Sequence, residues 1–106
     1  MICQNTLKRL DIQIFVAAAS PVGHDAAFDF VELLIDHDIL VHHALYNPTL
    51  GSQLSVAREL GINDIFIIGQ KEAFKHTLLR RDLKERKTQE ITHEEAIRII
   101  QEIAES

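Results

Sequence analysis

The chain has little cysteine, no tryptophan and no long hydrophobic run. Its single Cys3 cannot form an internal disulfide and has no base beside it in sequence, so we interpret it as inert. No apolar segment approaches the roughly 18 residues that span a membrane, and the N-terminal region lacks the apolar core of a signal peptide. These absences predict a cytoplasmic protein without a membrane partner. At 106 residues, the chain fits one globular domain with its own core.

Positive charge is also scarce. Eleven Lys and Arg residues face 16 Asp and Glu residues, which leaves a formal net charge of −5. This sign excludes nucleic-acid binding through diffuse electrostatics, so any RNA contact must be local. One dense basic cluster does occur, and taken alone such a cluster is typical of a solvated hairpin face. It consists of Arg80, Arg81, Lys84, Arg86 and Lys87.

Residue patterns for catalysis or cofactor binding are missing. With four glycines in all, the chain has no Gly-rich loop that could cradle a phosphate, and no serine stands in a nucleophile motif. His42 and His43 are adjacent and would point to opposite faces of a strand, and no cysteine pair supports a metal site. We therefore predict no metal and no cofactor. The chain does not read as an enzyme by itself.

The apolar run 65–68 organises the predicted fold. It stands between Gly61 and Gly69, is too short for a helix and is rich in isoleucine, which predicts a central strand buried on both faces. Gly61 follows a helical segment where a positive φ is needed, and Gly69 ends the strand and turns residues 70–72 outward. In an open α/β sheet, the carboxyl ends of the strands are where ligands bind.

The complete pattern predicts an α/β fold. We expect a mixed five-stranded sheet with three helices, in the order β-α-β-α-β-β-β-α, with a parallel three-stranded core in spatial order 2-1-3. Residues 1–10 are assigned to a terminal or linker segment and residues 11–106 to the domain. The predicted elements are a strand at 11–19, a helix at 22–36 capped by Ser20, a strand at 39–46, a helix at 50–60 capped by Thr49, the central strand, strands at 77–83 and 90–91 around a turn at 84–88, and a helix opened by a Thr92–Glu95 capping box.

Three segments of the chain share an order and spacing with a known family. They are Asn47–Leu54 followed by Ala57 and Gly61, the strand end Ile67–Glu72, and Arg80–Leu83. Together with the order of elements, they resemble the anticodon-binding domain of class II aminoacyl-tRNA synthetases over about residues 12–103. Within the histidyl, threonyl, prolyl and glycyl group, the hairpin at residues 81–90 is most similar to that of the histidyl enzyme.

The resemblance implies recognition of a tRNA anticodon. Threonyl relatives read anticodon bases from residues that match Asn47, Glu72 and Arg81, whose side chains suit hydrogen bonding to base edges. We expect the strand after residue 76 to return Arg81 to the side of the sheet where the other two lie. Implied partners are the anticodon loop of a tRNA, the catalytic domain of a class II synthetase in the same or another chain, and a second copy in a homodimer. The full set of expected RNA contacts is Asn47, Thr49, Gln53, Glu72, Arg80, Arg81, Lys84 and Lys87.

Each of the three central residues also has a structural alternative. Asn47 could support a turn, and Glu72 could be a solvated loop acid. Arg81 could pair with Asp82 or Glu90.

Two alternative functions also stay open. One is a free-standing synthetase-like paralogue that acts in protein interaction or regulation without RNA binding, which the acidic charge and the lack of basic residues between Gly51 and Ala57 favour. The other is a small-molecule-binding α/β domain, which the missing glycine loop disfavours. Because the chain has no room for a class II catalytic core, we expect either a domain of a larger synthetase, for example a histidine-tRNA ligase, or a stand-alone relative.

Overall fold

The structure is a computed structural model that describes residues 13–105. The segment predicted at residues 1–10, which includes Cys3, lies outside the described residues. Within the described part, no helix is both long and apolar enough to cross a membrane. The elements are β1 (Ile14–Ala18), α1 (Pro21–Asp36), β2 (His42–His43), α2 (Leu50–Glu59), β3 (Asp64–Ile68), α3 (Gln70–Lys75), β4 (Thr77–Asp82), β5 (Lys87–Thr92) and α4 (His93–Glu105).

The five strands form one mixed sheet in the order β2-β1-β3-β4-β5. Strand β1 runs parallel to β2 and β3, whereas β4 is antiparallel to both β3 and β5. The predicted 2-1-3 core and the central position of the 65–68 run are therefore confirmed. All four residues of that run are buried, as a strand with helices on both faces requires.

Alternate residues of the central strands serve two separate cores. Phe66 and Ile68 pack with side chains of α1 and α4 on one face of the sheet. Ile65 and Ile67 pack on the opposite face with α2. This division follows from the two-residue period of a strand, and it places one helix alone on the second face.

Side-chain caps begin three of the four helices described, where the sequence predicted them. The Ser20 hydroxyl accepts a hydrogen bond from the Gly23 N–H at 3.1 Å, and Thr49 caps α2 in the same way. Thr92 and Glu95 form the predicted capping box, with each side chain accepting the other residue's N–H at 3.1 Å. Local sequence therefore sets where these helices start.

Helix α3 was not predicted. It occupies residues expected to form an outward loop, so the described chain has four helices in the order β-α-β-α-β-α-β-β-α. Its N-cap is Gly69, which offers no side chain, and Glu72 reaches back to accept the Gly69 N–H at 2.8 Å. The helix ends at His76, whose φ is 57°. With six residues, it is too short to show an apolar period.

Strand β2 is much shorter than the predicted strand at 39–46. Only His42 and His43 pair with β1, although Ile39 and Leu45 on either side are buried. The spacing of apolar residues at positions 39–46 therefore reflects burial of side chains and not pairing of the backbone with β1. In the β4–β5 hairpin the strand is longer than predicted. Strand β5 spans Lys87–Thr92, whereas only residues 90–91 were expected to form it.

Candidate nucleic-acid interface

Three connections lie at the carboxyl edge of the parallel strands: β1 to α1, β2 to α2, and β3 to α3. The Ala19 N–H donates to the Ile68 carbonyl at 3.0 Å, which joins the ends of β1 and β3. At Gly23, in the first turn of α1, an added Cβ would collide with the Ile68 carbonyl oxygen. The start of α1 is therefore pressed against the end of β3.

The loop before α2 is held to the same edge by Gln53 and His24. The side-chain amide of Gln53 donates to the Asn47 carbonyl at 3.0 Å, and His24 Nε2 lies 3.1 Å from that oxygen. His24 Nδ1 lies 3.0 Å from the Ser20 carbonyl, so the ring bridges two of the three connections. The backbone of Asn47 is consequently fixed relative to β1.

Gln53 corrects one of the expected RNA contacts. Its side chain is 0% exposed, and its amide pairs with both backbone groups of Ala18 at the end of β1. A side chain enclosed in this way supports the loop and does not touch RNA. The prediction of an RNA contact required an exposed side chain, which is the usual case for glutamine but not for Gln53.

Asn47 uses its backbone and leaves its side chain available. The Asn47 N–H donates to the Ala44 carbonyl at 2.9 Å, and its own carbonyl accepts the contacts described above. Its half-buried side-chain amide has no hydrogen bond within residues 13–103. Thr49 differs, because its hydroxyl is occupied by the cap of α2 and by a 2.9 Å hydrogen bond to the Ser52 hydroxyl.

Glu72 is held in place by one of its two carboxylate oxygens. Oε1 accepts the Gly69 N–H, whereas Oε2 has no partner among the described residues. Glu72 is thus a half-buried helix residue rather than a solvated loop acid. A carboxylate can accept further hydrogen bonds, so the free oxygen remains able to accept one from a base amino group.

The two arginines of β4 point to opposite faces of the sheet. Arg80 lies opposite Phe66, and its guanidinium makes a bidentate pair with Asp64, with Nη2 to Oδ2 at 2.8 Å and Nε to Oδ1 at 3.1 Å. This hydrogen bonding raises the pKa of Arg80 above its usual value. Arg80, an expected backbone contact, is therefore already engaged.

Arg81 lies opposite Ile65, on the face that carries α2. It is exposed and pairs with neither Asp82 nor Glu90. However, Ile65 is three residues before the end of β3, which puts Arg81 about 10 Å back from the carboxyl edge. The structure does not bring Arg81 beside Asn47 and Glu72, because β4 runs away from that edge.

The two expected lysine contacts lie at the far hairpin. Lys84 is exposed, and its backbone N–H donates to Asp82 Oδ1 at 2.9 Å. Lys87 Nζ lies 3.8 Å from Glu85 Oε2, and both side chains are mostly in solvent. Such an exposed pair holds the lysine only weakly.

Two exposed aromatic residues flank the carboxyl edge and were not predicted as site residues. Tyr46, 75% exposed, precedes Asn47, and Phe74, 68% exposed, follows Glu72 by two positions. Exposed aromatic rings are the surfaces on which unstacked RNA bases are held. The sequence shows both residues, but it gives no sign of their exposure.

Metal binding finds no support in the described part of the chain. No three side chains of the His, Cys, Asp or Glu types lie close enough together there to hold a metal ion. What remains at the carboxyl edge is a set of hydrogen-bonding groups and aromatic rings.

The fold is similar to solved structures of two tRNA synthetases. The RNA binding domain of threonyl-tRNA synthetase from Cryptosporidium parvum Iowa II matches with a TM-score of 0.75 and 18% identity, over 96% of this chain and 27% of that one. Apo histidyl-tRNA synthetase from S. aureus matches with a TM-score of 0.69 and 15% identity, over 86% of this chain and 23% of that one. At these identities, the similarity concerns the fold.

This chain spans about a quarter of the length of either solved chain. No curated protein sequence matches it. The family model for the anticodon binding domain, in contrast, matches residues 13–103, which is nearly the whole described part. The expected family is thereby confirmed: the chain belongs to the anticodon binding domain family found in class II aminoacyl-tRNA synthetases.

Proposed function

We propose that this domain recognises the anticodon loop of a tRNA with the carboxyl edge of its sheet. Aminoacylation is then the task of a class II catalytic domain in the same or another chain. The observation that carries the proposal concerns two side-chain groups, the Asn47 amide and Glu72 Oε2. Both groups belong to residues fixed by backbone hydrogen bonds, yet both are without partners among the described residues.

The chemistry of this edge suits single-stranded bases. The Asn47 amide both donates and accepts, and Glu72 Oε2 accepts from exocyclic amino groups. Tyr46 and Phe74 supply ring faces for stacking, which depends little on base identity. We assign base discrimination to Asn47 and Glu72, and stacking to the two aromatic residues.

The cognate amino acid is a finer part of the proposal. The sequence of the hairpin at residues 81–90 resembles that of histidyl enzymes, and on this resemblance we propose histidine. Stem-loops that carry the histidine and the threonine anticodons, presented to the same protein, test this directly. Tighter binding of the threonine stem-loop would contradict histidine and leave anticodon recognition intact.

Glu72→Gln is the sharpest variant for the base-reading role. The glutamine oxygen can still accept the Gly69 N–H and so preserve the cap of α3, while an NH₂ group replaces the free oxygen. Discrimination between anticodon stem-loops should change by about 1–3 kcal/mol, on the scale of a good base contact in DNA. Glu94→Gln, an exposed acid on α4, removes the same charge elsewhere and serves as the control.

Fluorescence titration of labelled stem-loops measures these affinities at one fixed salt concentration. If Glu72→Gln and Glu94→Gln both retained wild-type discrimination, Glu72 would not be a base-reading residue. If the wild type bound every stem-loop equally, anticodon recognition itself would be wrong.

A second candidate function is protein interaction without RNA binding. The net charge of −5 favours it, as do the exposed residues Ser52 and Ser55 on α2, where a basic face would attract RNA. A synthetase-like regulatory domain of this kind would bind a protein partner or a second copy of itself. Failure to bind any stem-loop would favour this candidate.

A further inference from the structure

Three arginine side chains converge on one surface cavity at the opposite end of α2 from Asn47. The cavity has a volume of about 420 Å³, and the described residues that line it are Arg58, Arg81, Leu83 and Arg86. None of the three guanidinium groups has a hydrogen bond or an ion pair with the described residues. No acid is part of the described lining. We call these three residues the arginine pocket.

Regular elements and backbone hydrogen bonds position the three residues of the arginine pocket. Arg58 lies in the last turn of α2, and Arg81 faces the same side of the sheet from β4. Arg86 is in the β4–β5 turn with a φ of 59°, and its N–H donates to the Asp82 carbonyl at 2.7 Å. The Leu83 N–H donates to the Asn63 carbonyl at 2.8 Å, which holds this turn to the loop before β3.

A second cavity on the same hairpin shows how the charges are separated. It is lined by Arg80 and Lys87 together with Asp82, Glu85 and Gln89, so its cations stand beside carboxylates. Acids are therefore available in the hairpin, but the arginine pocket has none. Arginines stay charged at any physiological pH and repel each other at close range. In a chain with a net charge of −5, the arginine pocket is therefore a local region of positive charge.

We propose that the arginine pocket binds a backbone phosphate of the RNA strand whose bases lie on the carboxyl edge. This inference rests on the proposed function for the identity of the ligand. Guanidinium groups present a planar fork of donors that matches phosphate oxygens, and three donors without an acceptor suit an anion better than a base edge. Helix α2 has 10 residues and is about 15 Å long, so the pocket and the Asn47 loop lie at its two ends. Arg81 is in this account a phosphate contact.

The salt dependence of RNA affinity tests the pocket. Arg58→Gln and Arg86→Gln each remove one exposed charge, and Arg98→Gln removes the same charge from α4 as a matched control. For single strands, each lost phosphate contact should reduce the slope of log K against log salt concentration by about 0.7. The two pocket variants should weaken every anticodon stem-loop by the same factor. Arg98→Gln should leave both the affinity and the slope unchanged.

The outcomes separate the pocket from the base-reading surface. If the wild type discriminates anticodons but the two pocket variants keep the wild-type slope, the pocket proposal is overturned and the proposed function stands. If the wild type shows no anticodon preference while the pocket variants still flatten the slope, the pocket stands and base reading fails. If no RNA binds, both are wrong. A purely structural role for Arg58 at the end of α2 would lower the melting temperature without changing the slope.

Discussion

Gln53 completes the hydrogen bonding of Ala18 as a neighbouring strand would. Its Oε1 accepts the Ala18 N–H at 2.8 Å, and its Nε2 donates to the Ala18 carbonyl at 3.0 Å. Both groups are buried, so water cannot replace the side chain if it is removed. The same amide reaches the Asn47 carbonyl, which ties the end of β1 to the loop of the proposed anticodon site.

Replacement of Gln53 by methionine should therefore be costly. The variant keeps the side-chain volume but leaves the N–H and the carbonyl of Ala18 without partners, and each unsatisfied buried group costs about 1–3 kcal/mol. We expect the free energy of unfolding in urea to fall by about 2–6 kcal/mol. Gln101→Met, on the exposed side of α4, is the matched control. Equal unfolding free energies for the two variants would contradict the role given to Gln53.

Two glycines should respond to alanine with opposite signs. At Gly23 the added Cβ meets the Ile68 carbonyl, which is backbone and cannot rotate away, so Gly23→Ala should cost about 1–3 kcal/mol through overpacking. At Gly51, inside α2, nothing lies within 4 Å of the added Cβ. Gly51→Ala should stabilise the domain by about 0.5–1 kcal/mol, since alanine is the better helix former. Thermal and urea unfolding measure both changes. Destabilisation by Gly51→Ala would contradict open space for a methyl group at the start of α2.

His93 should make the stability of the domain depend on pH. Its ring packs against Phe30 with centroids 5.2 Å apart, and its Nε2 is buried without a partner among the described residues. Burial lowers the pKa of His93 below its ordinary value, an effect that outweighs the hydrogen bond to the Thr77 backbone. The unfolded chain then binds more protons near neutral pH than the folded one. The contribution of His93 to the free energy of unfolding should be fully present above the pKa that this residue has in the unfolded chain. It should be lost as the pH drops from about 6.5 towards the lowered pKa of the folded state.

His93→Phe tests this pH dependence, because it keeps an aromatic ring beside Phe30 and removes the titrating group. The measured quantity is the slope of the unfolding free energy against pH between about 5 and 7. The slope should become smaller but not vanish, because burial also lowers the pKa of His43. Identical slopes for the variant and the wild type would contradict a lowered pKa for His93.

The features that local sequence controls were predictable. Ser20, Thr49 and Thr92 cap helices through contacts within three residues, and the buried run 65–68 can occupy only the middle of a sheet with two covered faces. Such contacts need no knowledge of the rest of the chain. The 2-1-3 order of the three parallel strands followed from these elements and from the handedness of crossovers.

Features that depend on distant partners were not predictable. Arg80 pairs with Asp64, 16 positions away, and only the register of β3 with β4 decides that Arg80 and not Arg81 meets this acid. Gln53 is buried by a contact across 35 positions. Helix α3 was missed for a different reason: its N-cap residue is a glycine without a side chain, and its six residues are too few to show an apolar period.

The most direct test of the account follows the side-chain amide of Asn47 by ¹H–¹⁵N NMR while an anticodon stem-loop is added. Binding at the carboxyl edge should shift this signal in a saturable way, together with the backbone signals of Gly69 and Phe74, while the signal of the exposed Gln101 side-chain amide on α4 should not shift. Saturable binding of the stem-loop with unchanged Asn47, Gly69 and Phe74 signals would show that RNA binds elsewhere, and would contradict the carboxyl edge as the anticodon site.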